Sequence, residues 1–151
     1  LDEVRRQELL SRTIATVRDI PREGLSPQSM ETLALFELLH DAMASFGPNC
    51  LGSHVISMTS VPSDVLTVLW LWRWAQVAGN APGIDVSKLP EQLSIAPLFE
   101  KIDDLKQGPE TLDSILSQPL YATHLRQQGS RQLRLLKSTL ETALHMKIEP
   151  S

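Results

Sequence analysis

Apolar residues along this chain recur first at helical spacing, then in short uninterrupted runs, then at helical spacing again. Over residues 2–17, Val4, Leu9, Leu10, Ile14 and Val17 stand among charged residues, which predicts an amphipathic helix closed by Pro21. A second helix is better punctuated. Ser26 is placed to cap it, Pro27 suits the first helical position, and Leu25 can pack on Met30 as a hydrophobic staple. Its predicted apolar face is Leu35, Leu38, Leu39, Ala42, Met43 and Phe46, and Gly47-Pro48 ends it.

The character changes at Leu51–Met58, where Val55 and Ile56 follow Gly52 in a run that predicts a short buried strand. Thr59 and Ser60 are candidate caps for the next helix, which takes Pro62 in its first turn and runs to about Val77. Ala78 to Ile84 has loop composition. Residues 93–99 predict a second strand, which tolerates Pro97 if its nitrogen lies off the ladder or at a bulge. A helix starts at Lys101–Leu105, Gly108-Pro109 restarts the chain into another over Glu110–Ser117, and Pro119 opens one to about Gln128. Ser130 is a candidate cap for a last helix with Leu133, Leu136, Leu140, Ala143 and Leu144 on one face. Strand–helix–strand–helix order with a helix-length crossover predicts a helix-dominated α/β chain whose strands, 51–58 and 93–99, pair in parallel through a right-handed connection.

Composition narrows the function classes. A chain of 151 residues is most simply a single domain, residues 1–151, large enough to bury a core. A net charge of −4 offers no basic field for nucleic acid or an anionic membrane. The longest apolar run, Val65 to Trp72, falls far short of the ~20 residues needed to span a bilayer. Cys50 is the single cysteine, which excludes an internal disulfide and fits a reducing, cytoplasmic setting. The chain opens on Leu1-Asp-Glu without a leader pattern and has the look of a segment cut from something longer.

Three blocks carry a resemblance. Ile56-Ser-Met-Thr59, Ser63-Asp-Val-Leu66, and Pro97-Leu-Phe-Glu100 followed by Asp103-Asp-Leu105 stand in an order and at spacings similar to phosphoenolpyruvate carboxylase, over about residues 3–132. The resemblance implies a helix-rich fold around an eight-stranded α/β barrel, of which this chain would supply about two strands. It implies an enzyme that joins bicarbonate to phosphoenolpyruvate with Mg²⁺ or Mn²⁺, giving oxaloacetate and phosphate through carboxyphosphate and an enolate. It places a metal-binding carboxylate at Glu100, at the carboxyl end of a strand, where barrel enzymes keep their chemistry. An oxygen ligand there suits a hard cation. Without the resemblance, Glu100 reads as a helix-start acid favoured by the helix dipole.

The chain also departs from the family. Lys101 stands where a small hydroxyl residue is usual, His54 where an aromatic is usual, and Trp72 and Trp74 replace typical residues of the crossover helix. Leu133-Arg-Leu-Leu-Lys-Ser-Thr139 occupies the place of a strand reading Gly-Tyr-Ser-Asp-Ser, so residues 133–151 are a divergent ending. The second metal carboxylate and most other catalytic motifs are missing. The expectation is a family segment inactive by itself; the alternative is a non-catalytic interaction module that forms homo-oligomers through exposed apolar faces.

The remaining candidates have plainer readings. Asp103 and Asp104 suit a helix's first turn. Ser57 and Ser63 lack a motif-placed base to activate them. His40, His54, His124 and His145 show no ligand spacing and are expected at the surface or partly buried with partners. Cys50 is read as a small buried or incidental residue, and Arg126, Arg131 and Arg134 as a solvated face. Trp70 and Trp74, one helical turn apart, and Trp72 are read as packing residues, exposed if the rest of a barrel is absent.

Overall fold

The computed structural model describes residues 1–18, 20–47, 50–78, 93–99 and 102–127, apart from the side chains of Ala15, residues 102–105 and Gln127. The described chain is helix-dominated, with one two-stranded sheet. It divides into two compact units. The first comprises Leu1–Gly52 and Leu66–Leu93, the second Ser53–Val65 and Ser94–Ser151.

In the first unit, α1 spans Glu3–Thr13 and passes into a 3-10 turn, Ile14–Thr16. Asp2 caps it by accepting the Arg5 N–H at 2.9 Å. The predicted amphipathic face is buried only at its end. Ile14 and Val17 are buried, whereas Val4 and Leu9 are exposed. Helix α2, Pro27–Phe46, starts as expected, with Ser26 Oγ accepting the Ser29 N–H at 3.1 Å and proline at the first position. It ends on Gly47, whose φ of 87° permits the left-handed exit while its N–H returns to the Met43 carbonyl.

The buried face of α2 matches the predicted one only in part, Met43 belonging to both. Leu33, Phe36 and Met43 are buried, but Leu35, Leu38 and Phe46 are exposed, the last at 79%. Both sets follow helical spacing, so periodicity alone does not choose between them.

Helix α3, Pro62–Ala78, is buried on nearly every side from Val65 to Ala75. Trp72 and Trp74 are interior packing residues, as read from the sequence, and are not exposed. Trp70 is half-buried and donates its Nε1–H to Thr13 Oγ1 at 2.9 Å, tying α3 to the end of α1. Arg22 pairs with Glu37 on α2 and lies over the Trp74 ring, 5.8 Å from its centroid. Arg73 is 3% exposed and donates to Gln76 Oε1 at 3.2 Å; a charged residue there carries no helical-pattern signal of burial.

In the second unit, β1 (His54–Ile56) pairs in parallel with β2 (Ile95–Pro97), as the strand–helix–strand order predicts. The register sets His54 opposite Ile95, Val55 opposite Ala96 and Ile56 opposite Pro97. Both strands are shorter than the predicted 51–58 and 93–99, and β1 is not a buried strand, since Val55 is 56% exposed. Pro97 fits for the expected reason. Ser94 and Leu98 make the ladder bonds to β1, so the alternating residues 95 and 97 turn their backbone groups away from it. The missing N–H therefore falls off the ladder.

Helix α4, Ile102–Ser117, runs through Pro109 without the break expected at Gly108-Pro109. Proline removes one backbone donor, and glycine before it accepts helical geometry more easily than a residue with a Cβ. Buried Leu112 and Ile115 hold the continuing turns by packing. Helix α5, Pro119–Gln127, opens on the predicted proline, with Gln118 Oε1 accepting the Leu120 N–H. Ser130, the predicted last helix and the 78–84 loop beyond Ala78 lie outside the described residues.

Candidate functional site

The parallel pairing of β1 and β2 brings their carboxyl ends to the same end of the sheet. Past Ile56 the chain reads Ser57-Met58-Thr59; past Pro97 it reads Leu98-Phe99. These two ends are bonded to each other. Leu98 N–H donates to the Ile56 carbonyl at 2.9 Å, and Thr59 N–H donates to the Leu98 carbonyl at 3.2 Å. Thr59 Oγ1 donates to the Ile56 carbonyl at 2.9 Å, so this oxygen accepts two hydrogen bonds. Met58 takes a φ of 54°, rare for a residue with a side chain.

Thr59, read from sequence as a helix cap, thus turns back to the strands instead. The start of α3 is organised by Asp64. Its Oδ2 accepts the N–H of Ser60 at 3.0 Å and of Val61 at 3.2 Å, an acid reaching back over the first turn. At the opposite end of the sheet, the Ser53 and Ser94 hydroxyls bond at 2.9 Å and His54 N–H donates to the Ser94 carbonyl.

On α5, Tyr121 is fully buried and donates its hydroxyl to the Ile95 carbonyl at 3.4 Å, the oxygen on the side of β2 away from β1. Burial pushes the phenol well above its ordinary range. His124 stacks on Tyr121, with centroids 6.0 Å apart, and is fully buried where a surface or partly buried ring was expected. His54 is half-buried, and desolvation lowers its pKa from the usual histidine value.

The sequence-predicted residues are scattered. Ser57 is exposed beside the strand end and Ser63 is buried in the first turn of α3. His40 lies on α2, with its ring 6.0 Å from that of Trp72. Cys50 is exposed, which leaves the incidental of its two readings, and Arg126 is exposed as expected. Glu100, Lys101, Arg131, Arg134 and His145 lie outside the described residues, as do the side chains of Asp103 and Asp104. Among the described residues, no group of three or more His, Cys, Asp or Glu side chains is placed to hold a metal ion. Thr59 and Tyr121 are the residues that sequence reasoning missed as organisers of the strand ends. A Thr at a strand end signals a cap, and a lone Tyr in a helix signals only packing.

Comparison with known proteins gives the lineage. The family model described as phosphoenolpyruvate carboxylase matches residues 1–136. The chain belongs to the phosphoenolpyruvate carboxylase family. It is 40% identical over 103 residues to a phosphoenolpyruvate carboxylase of Xanthomonas campestris pv. campestris, covering 68% of this chain and 11% of that protein. Against the phosphoenolpyruvate carboxylase of Gloeobacter violaceus, identity is 35% over 127 residues, 83% of this chain and 13% of the relative. For that of a Synechococcus species it is 32% over 133 residues, 87% and 13%. The chain therefore spans little more than a tenth of the length of the curated relatives it matches. Among the described residues, no helix is long and apolar enough to cross a membrane.

Proposed function

We propose that this chain is a barrel segment of phosphoenolpyruvate carboxylase that supplies Glu100 to a divalent-metal site. The complete reaction joins bicarbonate to phosphoenolpyruvate, giving oxaloacetate and phosphate. The observation that carries this reading is the parallel β1–β2 pair, with the family match continuing through the strand end that leads to Glu100. Parallel strands joined by a helix are the repeating unit of an α/β barrel, whose chemistry sits at the strand carboxyl ends.

A single carboxylate there is compatible with Mg²⁺ or Mn²⁺, because such ions keep several waters and take few protein ligands beside substrate oxygens. Bound, the cation would neutralise negative charge developing on enolate and phosphate oxygens. What this chain would contribute is narrower: one carboxylate, Glu100, which follows the second of the bonded strand ends in sequence. A full barrel takes about 250 residues, so the other ligands and the substrate-binding groups would come from elsewhere in a family protein.

The expected result for the purified 151-residue chain, given phosphoenolpyruvate, bicarbonate and Mg²⁺, is no oxaloacetate. Specific Mg²⁺ binding that disappears in Glu100→Gln supports the metal role. Equal binding, or none, in both forms removes it.

A second reading is a non-catalytic interaction module that self-associates. It is favoured by the exposed apolar stripe of α2, with Leu35 45%, Leu38 64% and Phe46 79% exposed. Sedimentation equilibrium separates the readings. A dimer dissociated by Leu38→Glu and Phe46→Glu supports the module, and a monomer at all concentrations excludes self-association.

A further inference from the structure

The two edges of the β1–β2 sheet differ. In the parallel register, His54 and Ile56 turn their backbone groups toward β2, so those of Val55 point to the open side of β1. Among the described residues, no strand pairs with β1 on that side, and Val55 is 56% exposed. Segment 51–58 holds no Asp, Glu, Lys, Arg or Pro, so this edge lacks the residues that usually blunt one. The outer edge of β2 is closed instead. Pro97 has no N–H to offer there, and buried Tyr121 donates its hydroxyl to the outward Ile95 carbonyl.

We propose that the open edge of β1 is a self-association site, at which a second copy of this chain adds its own β1 in antiparallel. The occupant follows from hydrogen-bond symmetry and charge. An N–H and a C=O pointing outward from one residue are what an antiparallel hydrogen-bonded pair requires, so two copies of Val55 exchange both bonds across a two-fold axis. His54 then lies opposite the partner's Ile56 as the adjoining non-bonded pair. The uncharged segment meets its copy without like-charge repulsion, and Val55 stands against Val55, a β-branched pair suited to a sheet. The result is a four-stranded sheet in the order β2–β1–β1–β2. A closed edge bounds it at each end, so the assembly stops at a dimer. Few residues take part, which places the contact in the weak, transient class. The edge lies wholly in the second unit, and the inference does not rest on the role proposed for Glu100 or on the apolar stripe of α2.

The test uses the whole 151-residue chain. Sedimentation equilibrium at concentrations up to about 1 mM, where weak contacts become populated, should show a dimer. Val55→Pro deletes the outward N–H itself and spares the ladder to β2, which uses residues 54 and 56 of β1. It should raise the dimer Kd by about tenfold or more, through loss of both exchanged bonds. Val55→Thr keeps the N–H and the branched shape and should leave the dimer intact, as should Leu38→Glu with Phe46→Glu. Slow exchange of the His54 and Leu98 amides shows that the variant strand still pairs with β2. In a mixture of ¹³C-labelled and unlabelled chains, a filtered NOE should join His54 Hα to Ile56 Hα between copies.

A monomer up to about 1 mM overturns the inference. So does a dimer that survives Val55→Pro, or one without that NOE. A dimer broken by the α2 substitutions and untouched by Val55→Pro moves self-association to α2 and overturns the edge. If Val55→Pro does not fold, the NOE in the unmodified chain decides.

Discussion

Helices α2 and α3 are both long and largely apolar, yet α3 is buried on almost every side and α2 along one stripe only. In α3, Val65, Leu66, Leu69, Trp72, Trp74 and Ala75 are at most 2% exposed. In α2, Leu33, Phe36 and Met43 are buried while Leu35, Leu38 and Phe46 face solvent. A helix apolar all round is suited to full enclosure, and α3 obtains it. The contrast teaches that helical spacing identifies faces fit for burial, whereas the surrounding surface selects which of them is used.

The sharpest way to break this contrast is to truncate a large side chain in each helix. Trp74→Ala should cost about 3–5 kcal/mol, because it empties a fully enclosed site. Phe46→Ala should change stability by no more than about 0.5 kcal/mol. Urea denaturation measures both, and a comparable loss at Phe46 would show that its face is covered in solution. Within α2 alone, Leu33→Ala should cost about 2–5 kcal/mol. Leu38→Ala should again stay within about 0.5 kcal/mol. Reversal of that order would restore the face predicted from sequence.

Smaller effects test the ties at the helix ends. Thr13→Val removes the acceptor for Trp70 Nε1 and should destabilise by about 1 kcal/mol. Ser26→Ala should cost a similar amount, about 1 kcal/mol, through loss of the cap on α2. Either variant with an unchanged urea midpoint would remove its bond from the account.

The smallest expected effect is a pH dependence from the second unit. Burial lowers the His54 pKa, so below neutrality the folded chain binds fewer protons there than the unfolded chain. Stability is thus full above the ordinary histidine value of 6.5 and falls as pH drops through it toward the lowered folded value. The urea midpoint should decline over that window, and His54→Phe should flatten the decline. An identical slope in both proteins would assign it to other groups.

Much of the organisation was legible before the structure. Ser26-Pro27 marked the start of α2 because a hydroxyl cap and a proline without N–H suit the same terminus. Pro97 was compatible with β2 on the stated condition, and the register meets it. The parallel order followed from two short apolar runs separated by a helix. Pro109 was misread as a break: the rule concerns a lost donor, and it gives no weight to the packing of Leu112 and Ile115 that carries α4 onward. His124 was placed wrongly with respect to solvent because a single residue in a short helix has too little periodicity to consult. At the candidate site, Pro97-Leu-Phe-Glu100 was one of the three blocks that carried the family resemblance, and the residues bracing the Leu98 backbone were not recognisable.

Residue order alone established the helix starts at Pro27 and Pro119, the two strand segments, and membership of the phosphoenolpyruvate carboxylase family. These depend on local chemistry: caps, missing donors, and short runs of residue types in sequence. Tertiary structure decided which stripe of α2 is enclosed, that Trp72 and Trp74 are interior, and that Thr59 braces Leu98 rather than capping α3. Each of those outcomes depends on atoms far apart in sequence, and a hydroxyl or an apolar face acquires its role only when a specific partner arrives beside it.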